Sequence, residues 1–151
     1  MTSGGCQCGA VRYRAERIDK PSICHCRMCQ KAFGNFFAPL ATTHGLTWTR
    51  GEPSWFGSSN NVRRGFCSAC GTPLSYDYGQ NIEIAIATLD DPSTLPPLVQ
   101  VNVADKIDYV DHLHSLPVRE NATTAAAFIA SIVSYQHPDH DTESWPDEGS
   151  K

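Results

Sequence analysis

Apolar and polar residues alternate along most of this chain in short runs, and turn-forming residues interrupt the runs every few positions. Gly9 to Ala15 places Val11 and Tyr13 on one side and Arg12 and Arg14 on the other, the period of two of a half-buried strand. Ala32 to Ala41 is aromatic and apolar and reads as a second strand, with Gly34-Asn35 as a bulge or turn within it. Further short strands are predicted at Leu46 to Thr49, Pro53 to Phe56, Val62 to Phe66, Leu74 to Tyr78, Ile82 to Ala87 and Leu98 to Val103. Between them lie the turn signals Arg50-Gly51-Glu52-Pro53, Ser58-Ser59-Asn60-Asn61, Tyr78-Gly79-Gln80-Asn81 and Asp90-Asp91-Pro92. The clearest strand sets Ile82, Ile84 and Ile86 on one face against Glu83, Ala85 and Ala87 on the other.

Near the C-terminus the period changes. Across 121–135, Phe128, Ile129, Ile132 and Val133 form a helical stripe with Asn121 as N-cap, which predicts one amphipathic helix packed on the same domain. From His137 onward the chain is polar and acidic, the composition of a tail that is disordered or lies loosely on the surface. His137 and His140 would make a poor metal site there. The expected division is one domain over 1–120, the helix over 121–136 and an acidic tail over 137–151.

A length of 151 residues suits one mainly β domain, and 11 glycines with 10 prolines fit many short strands joined by turns. The net charge of −4 argues against nucleic acid or an anionic membrane as partner. Arg12, Arg14, Arg17, Lys20, Arg27 and Lys31 make the N-terminal part basic, either as a solvated face or to receive a small anionic ligand. Met1-Thr2-Ser3-Gly4-Gly5 has neither a charged nor an apolar leader segment, and no run of about 18 apolar residues follows. The expectation is a cytoplasmic protein without a membrane span. In a reducing compartment, seven cysteines, an odd number, point to metal binding or catalysis rather than disulfides.

Those cysteines fall in three clusters: Cys6-Gln7-Cys8, Cys24-His25-Cys26-Arg27-Met28-Cys29 and Cys67-Ser68-Ala69-Cys70. An extended Cys6-Gln7-Cys8 would aim both sulfurs to one side, and Cys67 and Cys70 form a half-site that needs a second pair. One partition joins Cys6, Cys8, Cys67 and Cys70 in a closed four-thiolate zinc site and leaves Cys24, Cys26 and Cys29 as an open, three-ligand one. The other joins Cys26 and Cys29 with Cys67 and Cys70 as a zinc ribbon. Spacing alone leaves both standing. His25 is a weaker fourth ligand, because an extended Cys24-His25-Cys26 turns the imidazole away from both sulfurs.

The stretches Gly5 to Tyr13, Cys24 to Cys29 and Arg64 to Leu74, with weaker agreement through Thr88 to Pro92, resemble the glutathione-dependent formaldehyde-activating enzymes and the related centromere protein V. The resemblance covers about residues 3 to 118. It implies an Mss4-like β-tent of antiparallel sheets around zinc, with two zinc ions per chain. Cys6, Cys8, Cys67 and Cys70 would hold a structural zinc, and Cys24, Cys26 and Cys29 a catalytic one. It also implies addition of glutathione to formaldehyde, giving S-(hydroxymethyl)glutathione, an activity classed with the carbon–sulfur lyases. Family members often carry a Trp and an Asp-Gly-Leu-Pro where this chain has Tyr109 and His114-Ser115-Leu116-Pro117, a departure that bears on the substrate.

The expected chemistry is capture of a thiol at the open zinc and attack of its thiolate on an aldehyde carbon. Arg27, Lys31, Arg63 and Arg64 flank the clusters and are the candidate partners for the carboxylates of glutathione, while Ser58 to Asn61 could line the pocket. The alternative is a non-catalytic, zinc-stabilised binding module.

Overall fold

The computed structural model describes residues 1–119 and 123–145. Among these residues ten strands form, in chain order β1 (Thr2–Gly5), β2 (Arg12–Ala15), β3 (Arg17–Cys24), β4 (Ala38–His44), β5 (Thr47–Arg50), β6 (Ser54–Gly57), β7 (Arg63–Phe66), β8 (Pro73–Asp77), β9 (Ile82–Ala85) and β10 (Val99–Val101). Helix α1 (Arg27–Phe33) lies between β3 and β4, and α2 (Thr123–Ala130) follows β10 after a series of 3-10 turns. The fold is mainly β, as the alternating pattern predicts.

Two sheets carry the strands. One is three-stranded in the order β1-β2-β5, and the other seven-stranded in the order β10-β3-β4-β9-β8-β7-β6. All pairings are antiparallel except β10 on β3, which is parallel and makes the larger sheet mixed. The core between the sheets buries Val11, Tyr13, Ala41, Leu74, Ile84, Ile86 and Leu89 together with Cys6 and Cys67.

Register assigns each face of the larger sheet a separate task. Residues opposite one another on neighbouring strands share a face. Trp55, Gly65, Ser75, Ile84 and Ala41 therefore form one row, which includes the core residues Ile84 and Ala41. One position along each strand, Phe56, Arg64, Tyr76, Glu83 and Thr42 form a row on the opposite face. Cys24 and Leu40 lie on this second face, packed with Cys29, Ala38 and Tyr76 in a separate cluster.

Several elements differ from the sequence reading. Ala32 and Phe33 finish a helix instead of opening a strand. Arg27, Met28, Gln30, Lys31 and Ala32 are good helix formers, the sulfur of Cys26 caps the first turn by accepting the Cys29 N–H at 3.4 Å, and Gly34 ends the helix in the left-handed conformation at φ 55. β1 and β3 form where no strand was predicted, because Gly-rich and Pro-containing segments can be recruited by a neighbouring strand. Cys6 to Cys8 is a turn, not an extension of β2.

The C-terminal segment departs furthest. α2 spans Thr123–Ala130, shorter than the predicted helix, whose start at 121 and 122 lies outside the described residues. Phe128, Ile129, Ile132 and Val133 are exposed. The stretch 137–145, expected to be loose, is instead bound to the domain. His137 is 3% exposed, its backbone N–H donates to the Gln7 carbonyl at 2.8 Å, and its ring lies edge-on to Trp145. Asp141 bridges Arg12 and Arg14. Gly9, at φ 73, makes room for this strap, since a Cβ there would collide with the rings of His137 and Trp145.

Candidate metal centres and cavity

The fold gathers the seven cysteines into two groups. Cys6, Cys8, Cys67 and Cys70 bring their sulfurs within 4.8 Å of one another, and so do Cys24, Cys26 and Cys29. The ribbon partition, which needs Cys26 and Cys29 beside Cys67 and Cys70, does not form. The Sγ separations of 3.6 Å for Cys6–Cys8 and 3.8 Å for Cys8–Cys67 match the edge of a tetrahedron with metal–sulfur bonds of roughly 2.3 Å. They are too long for disulfides, and all seven cysteines are free.

The members of the four-cysteine group ionise unevenly. Burial pushes the Cys6 thiol up to about 12, although the Val11 N–H donates to its sulfur at 3.2 Å. Burial alone would raise Cys70 too, but the Thr72 hydroxyl and the backbone N–H groups of Thr72 and Cys8 bring it to about 6. Four thiolates in so small a space need a divalent cation, and a set of four sulfurs from two turns is the donor set of a structural zinc. The Cys67 turn is closed by the Gly71 N–H donating to the Cys67 carbonyl at 2.8 Å.

Cys24, Cys26 and Cys29 come from the end of β3, the N-cap of α1 and its first turn. Cys24 is drawn down to about 5, first by the hydrogen bond from Cys29 and, against burial, by the Asn102 amide at 3.2 Å. Cys29 is pushed up by the same bond to Cys24 and by burial, while Arg64 acts the other way. His25 lies between two of these cysteines but faces away, fully buried, with Nε2 on Gln100 Oε1 at 3.0 Å and its ring edge-on to Phe37. It belongs to neither sulfur group. Gln30 anchors the cluster by donating to the His25 and Asp105 carbonyls.

A cavity of about 520 Å³ opens onto the three-cysteine group. Leu40, Val62, Tyr76, Tyr78 and Val101 supply much of its wall, and Ser58, Arg64, Glu83 and Asn102 supply polar groups. The four-cysteine group instead contributes to the core between the sheets. Thus one group, with four sulfurs, packs into the core, and the other, with three, faces space large enough for a substrate.

The family model for glutathione-dependent formaldehyde-activating enzymes matches residues 1–105. The chain belongs to this family. In this glutathione-dependent formaldehyde-activating enzyme family member, residues from all three matched cysteine stretches and from β7, β8, β9 and β10 build the two centres. A solved structure of a Rhodobacter sphaeroides protein matches with TM-score 0.53 and 22% identity over 66% of this chain and 99% of that one, a likeness of fold. No curated protein matches.

Of the four cationic candidates, Arg64 alone lines the cavity among the described residues. It is 7% exposed, with Nη2 at 3.4 Å from Cys29 Sγ, Nε on Ser58 Oγ at 3.0 Å and its guanidinium over the Tyr76 ring. Arg63 points to the other face, bonded to Asp77 and stacked on Trp55. Arg27 and Lys31 are exposed on α1. Tyr109, at the family departure, stacks edge-on with Phe36. Asn102, Tyr76 and Glu83 escaped the sequence reading as site residues. For Glu83 a signal existed: it is the one charged residue of the Ile82 strand, on the face opposite its isoleucines.

Proposed function

We propose that this chain adds a thiol such as glutathione to a small aldehyde such as formaldehyde, a carbon–sulfur lyase-type, S-(hydroxymethyl)glutathione synthase-like activity. The catalytic zinc would be held by Cys24, Cys26 and Cys29, and the structural zinc by Cys6, Cys8, Cys67 and Cys70. The observation that carries this reading is the contrast between the two sulfur groups, one with four sulfurs packed into the core and one with three at the mouth of the larger cavity. Zinc bound to three thiolates supplies an open coordination position that favours a substrate sulfur in its deprotonated form.

The chain's own residues set the conditions around that position. Arg64 lays a positive charge against Cys29 Sγ and reduces the repulsion that three thiolates would exert on a fourth. The Asn102 amide donates to Cys24 Sγ and holds that sulfur in place. Leu40, Val62, Tyr76 and Tyr78 give the cavity an apolar wall that limits water near the reacting carbon. Arg27 and Lys31, exposed on the helix that carries Cys29, offer positive charge to the carboxylates of a glutathione-sized thiol.

The net charge of −4 and the absence, among the described residues, of a helix long and apolar enough to cross a membrane support a small-molecule partner over nucleic acid or lipid. Seven unpaired cysteines support a reducing, cytoplasmic setting. The test is NMR exchange between glutathione with formaldehyde and their hydroxymethyl adduct. Exchange should be faster with the zinc-loaded protein than with Cys26→Ser or with no protein. Equal rates in all three would favour the non-catalytic binding module.

A further inference from the structure

The cavity holds one carboxylate that the proposed reaction has not used. Glu83 sits on β9 between Thr42 of β4 and Tyr76 of β8, so its backbone is fixed on both sides and its side chain shares the sheet face that carries Cys24. It lines the cavity with all three cysteines of the open group. None of the ion pairs among the described residues includes it. A half-buried carboxylate that lines a cavity and pairs with no cation costs stability that a neutral residue would avoid, and such groups concentrate where chemistry is done.

Burial raises the Glu83 carboxyl above the ordinary glutamate range, negative charge at Cys24 raises it further, and the Thr42 hydroxyl opposes both. The titratable groups that share its cavity are Cys24, Cys26, Cys29, Arg64, Tyr76 and Tyr78. A divalent cation on three thiolates leaves a formal charge of about −1, so the push from that side keeps its sign when metal is bound.

We propose that Glu83 carries the proton of this reaction, taking it from the incoming thiol and returning it to the aldehyde oxygen. This rests on the thiol–aldehyde reading above. The S–H bond breaks as a carboxylate oxygen of Glu83 accepts the proton. The sulfur electron pair forms the C–S bond while the carbonyl π pair moves onto oxygen, and the carboxylic acid then protonates that oxygen. The hydroxymethyl thioether leaves with every atom of thiol and aldehyde, Glu83 is again a carboxylate, and no proton has passed to solvent. A carboxyl group shifted toward neutrality suits both halves of the transfer.

Calorimetry of glutathione binding to the zinc-loaded protein, in buffers of different ionisation enthalpy, counts the protons released. Wild type should retain the thiol proton, and Glu83→Gln should release about one per site. Adduct exchange should slow on the order of 10²-fold in Glu83→Gln and recover in part in Glu83→Asp, which keeps a carboxylate. Zinc content and melting temperature equal to wild type establish that each variant is folded. If wild type binds and accelerates while Glu83→Gln matches it in proton count and rate, the Glu83 role is overturned and the thiol–aldehyde reading stands. If Glu83→Gln loses zinc or melts early, the wild-type proton count and Glu83→Asp decide, and full proton release by wild type overturns the proposal. Wild type that neither binds glutathione nor speeds exchange overturns the reading of function and this role with it.

Discussion

The side-chain amide of Asn102 donates to Cys24 Sγ at 3.2 Å across 78 positions of sequence. β10 makes this contact by running parallel to β3 with Val101 opposite Cys24, after which Asn102 turns back at φ 54, in the left-handed region. Asn102→Gly keeps that backbone available and deletes only the amide. The variant should fold with both metals but lose the one at Cys24, Cys26 and Cys29 faster to a chromogenic chelator. Release kinetics identical to wild type would remove Asn102 from the site.

On the proposed reading, elemental analysis should find two zinc ions per chain, released in two steps because three cysteines would hold one and four the other. Cys67→Ala breaks a centre that ties residues 6–8 to residues 67–70, and binding energy at such centres, on the order of 10 kcal/mol, is largely folding energy. It should give insoluble or unfolded protein. Cys29→Ala removes a ligand from a group local in sequence and should leave a folded chain with one zinc and no turnover. A Cys29→Ala protein that melts as badly as Cys67→Ala would make the three-cysteine centre structural.

Arg64→Gln keeps a polar end group on a shorter side chain and removes the charge beside Cys29 Sγ. Loss of a charge-assisted contact of this kind costs about 1.5–3 kcal/mol. Glutathione affinity should therefore fall by about ten- to a hundredfold, read by calorimetry, while zinc content stays at two per chain. An unchanged affinity would assign Arg64 to packing against Tyr76 alone.

The strap over 137–145 depends on Asp141. Burial alone would raise its carboxyl, but hydrogen bonds from Arg12 and Arg14 hold it below the ordinary value of 3.8. A lowered carboxyl contributes stability that is complete above the unfolded value and is lost as pH falls through the lower, folded value. Strap release on acidification therefore belongs below about pH 4. Asp141→Asn should weaken the strap already at neutral pH, read as a red shift of Trp145 emission in a Trp48→Phe, Trp55→Phe background. No shift would place the hold on the strap in His137 and Thr142 instead.

The cysteine clusters and most strand positions could be read from the sequence because both are local signals: spacing for the metal groups and a period of two for the strands. The choice between the two cysteine partitions came from matched motifs, since spacing permits either. Helix α1 was hidden because its first-turn cap is a cysteine sulfur, not one of the usual oxygen caps. Asn102, Tyr76 and the contact of Arg64 with Cys29 depend on strand order, which no window of sequence contains. The strap was misread because composition reports what a segment can bury of itself, whereas His137 and Asp141 are held by Gln7, Arg12 and Arg14 at the other end of the chain.

The alternation of the larger sheet also bears on how such a protein can change. Neighbouring residues on one strand, such as Glu83 and Ile84, serve the cavity and the core respectively. Substitutions at Leu40 and Tyr76 can therefore alter what enters the cavity, while Ala41 and Ser75, each one step along the same strands, go on holding the sheet in place. A lineage with this sheet can try new substrates by changing every second position, and a designer can confine a substrate library to those positions.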